Sequence, residues 1–158
     1  MEPNRVRDVM TTEVLSCTPS DSAEHCARLM WEKPCGAIAV VDGTRGPVSI
    51  ITDRDICMAA WTQGRRLADI TVASAMSDRL FTVRDSDRIA VAEGVMRRNG
   101  VRRLLVVDRH AELTGIISFD DIARRAEVGQ TSFDDDPYSA ESIASTSAAL
   151  AHGARGVP

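Results

Sequence analysis

The chain has 158 residues, 44% of them hydrophobic and 27% charged, with a net charge of −4. This is the composition of an ordinary globular chain of one compact domain or two small ones. The charge balance gives no electrostatic footprint for nucleic acid, no apolar run is long enough to span a bilayer, and the N-terminus Met1-Glu2-Pro3-Asn4-Arg5 has no signal-peptide apolar core, so a cytoplasmic location is expected.

In chain order, Val14 to Cys17 is predicted as a short strand, and Thr18-Pro19-Ser20-Asp21 as a helix start. Ala23, Cys26, Ala27 and Met30 then recur at helical spacing on one face. Ala37 to Val41 is an apolar run bounded by the turn signal Asp42-Gly43, and Pro47 to Ile51 returns as the next strand. A helix follows from Asp53 to about Thr62.

The same order then repeats. Ile89, Ala92, Val95 and Met96 give a helical face, Leu104 to Val107 and Leu113 to Ile117 a strand pair, and Phe119 to about Val128 a helix. The repeat has a fixed offset of 66: of the 56 pairs from Arg5/Thr71 to Ala60/Ala126, thirteen are identical, where composition alone gives roughly four. Among them are Met10/Met76, Asp21/Asp87, Val40-Val41-Asp42/Val106-Val107-Asp108 and Asp55-Ile56/Asp121-Ile122. A long unit present twice is a pseudo-symmetric pair rather than a solenoid. The expected domains are residues 1–64, residues 65–129 and a tail at 130–158. The tail, rich in Ser, Ala, Asp and Gly, is expected to be disordered and flexible, with a transient helix between Ser139 and Leu150.

All four cysteines, Cys17, Cys26, Cys35 and Cys57, fall in the first repeat and stand opposite Val83, Ala92, Val101 and Ala123. They read as buried small hydrophobes rather than metal ligands or bridges. Trp31 and Trp61 lie near helix ends and read as packing or subunit-interface residues rather than base-stacking platforms.

The strongest local signal is a hydroxyl residue followed three positions later by an aspartate, at the strand-to-helix junction of both repeats: Thr52-Asp53-Arg54-Asp55 and Ser118-Phe119-Asp120-Asp121. As a capping box, the pattern starts many ordinary helices. It also suits a nucleotide, because helix-start amides favour phosphate and an acceptor-only carboxylate suits the paired hydroxyls of a ribose. A phosphate loop, a nucleophile elbow and a metalloprotease helix are absent from the sequence, so no catalytic residues, no metal and no required cofactor are assigned.

These motifs, together with Asp8-Val9-Met10, Gly36 to Asp42 and Val101 to Asp108, resemble the cystathionine-β-synthase (CBS) domain pair, or Bateman module, over about residues 5–128. One departure is Ser49, where Gly115 holds the family's usual glycine. The resemblance implies an α+β fold of two tandem β-α-β-β-α repeats related by a pseudo-two-fold axis. It implies a non-catalytic regulatory module that binds an adenine nucleotide or adenosyl ligand (the AMP, ATP, NAD and S-adenosylmethionine class) in clefts between the repeats, signals to another protein in trans and forms a homodimer. The alternative is a ligand-independent interaction or dimerisation module. Carried over, site one comprises Thr52, Arg54, Asp55, Leu80, Val101, Arg102 and Arg103, and site two Val14, Cys35, Gly36, Ala37, Ser118, Asp120 and Asp121. Because Arg102-Arg103 stand opposite Gly36-Ala37, and Arg54 opposite Asp120, site one is expected to take a phosphorylated adenine nucleotide, and site two a less charged adenosyl group, the far end of a longer ligand, or no ligand.

Overall fold

The computed structural model describes residues 4–43, 46–129, 146–148 and 150, the side chains of 126–129 excepted. The chain forms two units, each built around a three-stranded sheet. The first-repeat unit comprises Glu13–Leu80 with Ala111–Leu113, and the second-repeat unit Met1–Thr12, Phe81–His110 and the chain from Thr114 on.

In the first-repeat unit the order is β1 (Ser16–Cys17), α1 (Ala23–Glu32), β2 (Ala37–Val41), β3 (Pro47–Thr52), α2 (Asp53–Gln63) and a single turn, α3 (Val72–Ala75). Strand β1 pairs parallel with β2, Ser16 opposite Ala39, while β2 and β3 form the antiparallel hairpin expected from Asp42-Gly43, with Ala37 opposite Thr52 and Ile38 opposite Ile51. Ile38, Ala39 and Val40 are fully buried, as the continuous apolar run of β2 requires. Helix α1 begins one residue beyond the expected start. Thr18 and Asp21 close a turn of their own, the Thr18 amide donating to Asp21 Oδ2 at 2.7 Å, and Ser22 is the N-cap, its hydroxyl accepting the His25 amide at 3.2 Å. Gly64, at φ 59°, ends α2 in the left-handed conformation that glycine adopts without a Cβ clash.

The second-repeat unit repeats the order with β4 (Thr82–Arg84), α4 (Ile89–Asn99), β5 (Arg103–Val107), β6 (Leu113–Ser118) and α5 (Phe119–Gly129).

The packing units do not coincide with the sequence period, because the leader ahead of each repeat joins the other repeat's unit. In the second-repeat unit Val6 and Arg7 donate their amides to Asp87 O and Asp85 O at 2.9 and 3.0 Å, and Thr11 exchanges two 2.9 Å backbone bonds with Ile116. In the first-repeat unit, Val72 N donates to Asp21 O at 2.8 Å and Ser77 N to Ile50 O at 3.1 Å. Shifted by 66, these are the same contacts, Val72/Asp21 corresponding to Val6/Asp87. Val6 and Val72 are fully buried and anchor the two leaders. Ser49 is explained by the same geometry. Its hydroxyl donates to Ser77 O at 2.6 Å and so ties β3 to its leader, whereas a Cβ at Gly115 would lie 2.6 Å from Met10 Sδ and 3.0 Å from Thr11 O.

The cysteines divide. Cys17 and Cys26 are buried in the first-repeat core with their thiols in contact; this contact and burial push the Cys17 thiol far above its ordinary value, which keeps it protonated. Cys35 is half-buried and Cys57 exposed, so neither is the core residue that its apolar counterpart suggests. Trp31 and Trp61 are 88% and 77% exposed rather than packed. Most of the tail lies outside the described residues. Those described, 146–148 and 150, are helical, with Thr146 and Leu150 buried against the second-repeat unit.

Candidate functional site

Each unit brings two backbone turns together at one end of its sheet: the start of the middle strand and the start of the final helix. In the first-repeat unit the Asp53 amide donates to Gly36 O at 3.3 Å, and Ala37 pairs with Thr52. In the second-repeat unit the Phe119 amide donates to Arg102 O at 2.9 Å. Cys35, Gly36 and Ala37 therefore share a corner with Thr52, Arg54 and Asp55, and Val101, Arg102 and Arg103 share one with Ser118, Asp120 and Asp121. Val14 and Leu80 are both half-buried in the first-repeat unit, on the approaches to β1 and β4.

The hydroxyl-x-x-aspartate motif forms the same hydrogen-bonded ring in both corners. Asp55 Oδ2 accepts the Thr52 amide and hydroxyl, each at 2.8 Å, and the Asp55 amide donates back to the Thr52 hydroxyl at 3.2 Å. Asp121 Oδ2 likewise accepts the Ser118 amide at 2.8 Å and hydroxyl at 2.6 Å, with the return bond at 3.2 Å. One oxygen of each carboxylate is thus committed to the helix cap. Such a ring holds the carboxylate in a single orientation, and its other oxygen can accept a ligand hydroxyl.

The two corners differ at that second oxygen. Asp121 Oδ1 is held by the guanidinium of Arg124, one helical turn on, while the side chain of Asp121 is only 15% exposed. The first-repeat counterpart of Arg124 is Met58, and among the described contacts Asp55 Oδ1 has no ion-pair partner. Arg124 was not singled out in the sequence, although its i,i+3 spacing from Asp121 is the signal that finds such a pair.

The arginines expected to bind phosphate also divide. Arg102 pairs with Asp120 Oδ1 at 3.3 Å and stacks over the Phe119 ring, 5.7 Å from its centroid. Both partners of the Arg102–Asp120 pair are more than half exposed, so the pair is worth at most about 1 kcal/mol and a phosphate can displace it. Arg103 is half-buried at the start of β5, and Arg54 is exposed. The described ion pairs include neither. A guanidinium thus stands beside the Ser118 motif within the second-repeat unit.

Three comparisons bear on this architecture. The family model of the CBS domain matches residues 6–61 and again 68–127. The CBS domain-containing protein YhcV of Bacillus subtilis is 34% identical over 119 residues, covering 75% of this chain and 82% of YhcV. A protein from Methanopyrus kandleri, MK0525, is 30% identical over 117 residues, 74% of this chain, but the chain spans only 60% of that relative's length. Among solved structures, CBSX2 in complex with AMP superposes with a TM-score of 0.69 at 25% identity, covering 81% of this chain and 99% of CBSX2. Two matches of one family model, laid over two copies of the same sheet-and-helix unit, make this chain a tandem CBS pair, and it belongs to the CBS domain family.

Proposed function

We propose that this chain is a non-catalytic sensor that binds adenine nucleotides or related adenosyl ligands, using Asp55 and Asp121 to hold ribose hydroxyls, and passes the bound state to another protein. The observation that carries the proposal is the duplicated ring in which Thr52 and Ser118 fix an aspartate by one oxygen. A lone capping box needs no ligand; the same ring at the same corner of both units, in a fold shared with an AMP-bound protein, supports one. Arg103 is assigned to the phosphate, with Arg102 joining when a phosphate displaces Asp120. Signalling requires that the ligand favour one arrangement of the protein over another.

Thermal shift across AMP, ADP, ATP, NAD, S-adenosylmethionine and adenosine tests the proposal. A ligand at about 100 times its Kd stabilises the native state by about 2.7 kcal/mol. In a chain of this size that raises Tm by about 5–10 °C. No shift with any of the six would favour the second reading, a protein-interaction module that needs no ligand. The exposure of Trp31 and Trp61 draws attention to that reading.

A further inference from the structure

The two aspartates of the duplicated ring have different neighbours one helical turn on. In the second-repeat unit Arg124 donates an N–H to Asp121 Oδ1, the oxygen that the helix cap leaves over. The carboxylate is 15% exposed and the Arg124 side chain 70%, so the guanidinium reaches the acid from the solvent side and keeps donors to spare. In the first-repeat unit Met58 replaces Arg124 and cannot hold the second oxygen of Asp55. Charge follows the same division. At the corresponding positions, the Ser118 corner carries Arg102, Arg103 and Arg124 against Asp120 and Asp121, and the Thr52 corner carries Arg54 against Asp53 and Asp55. The Ser118 corner is net positive, the Thr52 corner net negative, and one of the added cations sits on the aspartate itself.

We propose that Arg124 makes the Ser118–Asp121 corner selective for an adenosine whose ribose carries a phosphate on its 2′ or 3′ oxygen, while Asp55, with Met58 in place of the arginine, serves an unmodified ribose. The inference rests on the ribose reading of Asp121 given above and adds the ligand class. An unmodified ribose has two hydroxyls to donate, and both oxygens of Asp121 are already taken, Oδ2 by the Ser118 amide and hydroxyl and Oδ1 by Arg124. Binding such a ribose breaks a charge-assisted bond to a largely buried carboxylate, and the freed guanidinium finds no partner on the sugar. A phosphate on the ribose reverses that balance. It draws the guanidinium to itself, because the planar fork of an arginine matches phosphate oxygens. Asp121 Oδ1 is then released to the one hydroxyl that remains on the ring. Asp120 is paired with Arg102, which lessens its repulsion of the added charge. Dinucleotide-binding folds divide the work in the same way, an acid for a free 2′-hydroxyl and an arginine for a 2′-phosphate.

The test is calorimetric titration of the full chain with AMP, adenosine 2′,5′-bisphosphate and adenosine 3′,5′-bisphosphate, in wild type and in an Asp55→Asn background that leaves the Asp121 corner to report. In that background at least one bisphosphate should bind about tenfold or more tighter than AMP, and which one does so tells the 2′ from the 3′ position. Arg124→Met copies the first repeat's residue at a largely exposed position. It should erase the preference by weakening the bisphosphate, while AMP binds as well as before or a few-fold better. Damage to the fold would weaken both ligands together, so their divergence is the signature. Arg124→Lys keeps the charge without the fork and should retain part of the preference. Bisphosphates that bind no tighter than AMP overturn the inference, as does a preference that survives Arg124→Met. Either result, obtained with AMP binding intact, leaves the ribose reading standing. Absence of binding by all three probes, in wild type as well, overturns both.

Discussion

The exchange of leaders has a direct consequence for stability. Val6 is fully buried in the core of the second-repeat unit, among Val83, Ile89 and Ile117, although it belongs by sequence to the first repeat. Val6→Ala removes two methyl groups, worth about 1.6 kcal/mol of transfer free energy at roughly 0.8 per methylene-sized group. The leader cannot slide in to fill the space, because backbone bonds at Val6, Arg7 and Thr11 pin it on both sides of the gap. A cavity term therefore adds to the loss, for a total of about 2–3 kcal/mol and a fall in Tm of about 5–10 °C. Amide exchange followed residue by residue locates the damage. The Ile89 and Ile116 amides donate to Asn4 O and Thr11 O in the leader, whereas the Ala23 amide donates to Ile70 O in the other unit. Val6→Ala should speed exchange at Ile89 and Ile116 and leave Ala23 protected, while Val72→Ala should do the reverse. Faster exchange at Ala23 in Val6→Ala, with Ile89 and Ile116 unchanged, would refute the exchanged arrangement.

Four further outcomes are expected. Gly115→Ser, which copies the first repeat's residue, should destabilise by about 1–3 kcal/mol in denaturant titrations, because its Cβ meets Met10 and the Thr11 carbonyl. Ser49→Gly, the reverse swap, should lose only about 1 kcal/mol, chiefly the hydrogen bond to Ser77 O. Arg124→Met frees Asp121 Oδ1 as in the first repeat; adenosine binding measured by calorimetry should strengthen a few-fold, and unchanged affinity would show that the pair does not compete with ligand. The Asp21 carboxyl is held below its ordinary value by the Thr18 amide and hydroxyl. With the folded value depressed, its stabilisation is fully present above about pH 4 and fades as pH falls through the folded value. An NMR titration of Asp21 should find a midpoint below the unfolded value, with the Thr18 amide shift moving in step.

The parts of this structure that were legible in the sequence are those governed by local pattern. The apolar run Ala37 to Val41 and the turn after it gave β2 and its hairpin, and the 66-residue offset gave the second copy of each element. The capping rings were readable because a hydroxyl and an aspartate three residues apart, directly ahead of an apolar helical pattern, can bond one another across the first turn of the helix. The unit boundaries were not readable. Leader and body repeat together in sequence, and nothing local tells Val6 that its partner is Asp87 rather than Asp21. The exposure of Trp31 and Cys57 was hidden for a related reason: helical spacing marks an apolar face but not whether that face is covered. Arg102 shows the same limit in charge, since its pairing with Asp120 spans 18 residues and is set by the β5–β6 hairpin. Arg124 and Thr146 show where attention to motifs fails, because each lies outside the motifs although Arg124 pairs with a residue inside one.

The central claim is that Asp55 and Asp121 hold a ribose. The substitution Asp→Asn is the sharpest probe, because the amide oxygen can still accept the Thr52 or Ser118 bonds of the helix cap, while the negative charge and the second acceptor are lost. The measurement is calorimetric titration of AMP into the wild-type chain and into Asp55→Asn/Asp121→Asn, with thermal unfolding run alongside. Saturable binding by the wild type is predicted. In the double variant it should fall by about 10- to 100-fold, as expected for hydrogen bonds to a charged acceptor worth about 1.5–3 kcal/mol, while Tm changes by only a few degrees. Equal affinity in the two proteins, or no heat of binding in the wild type, would contradict the account.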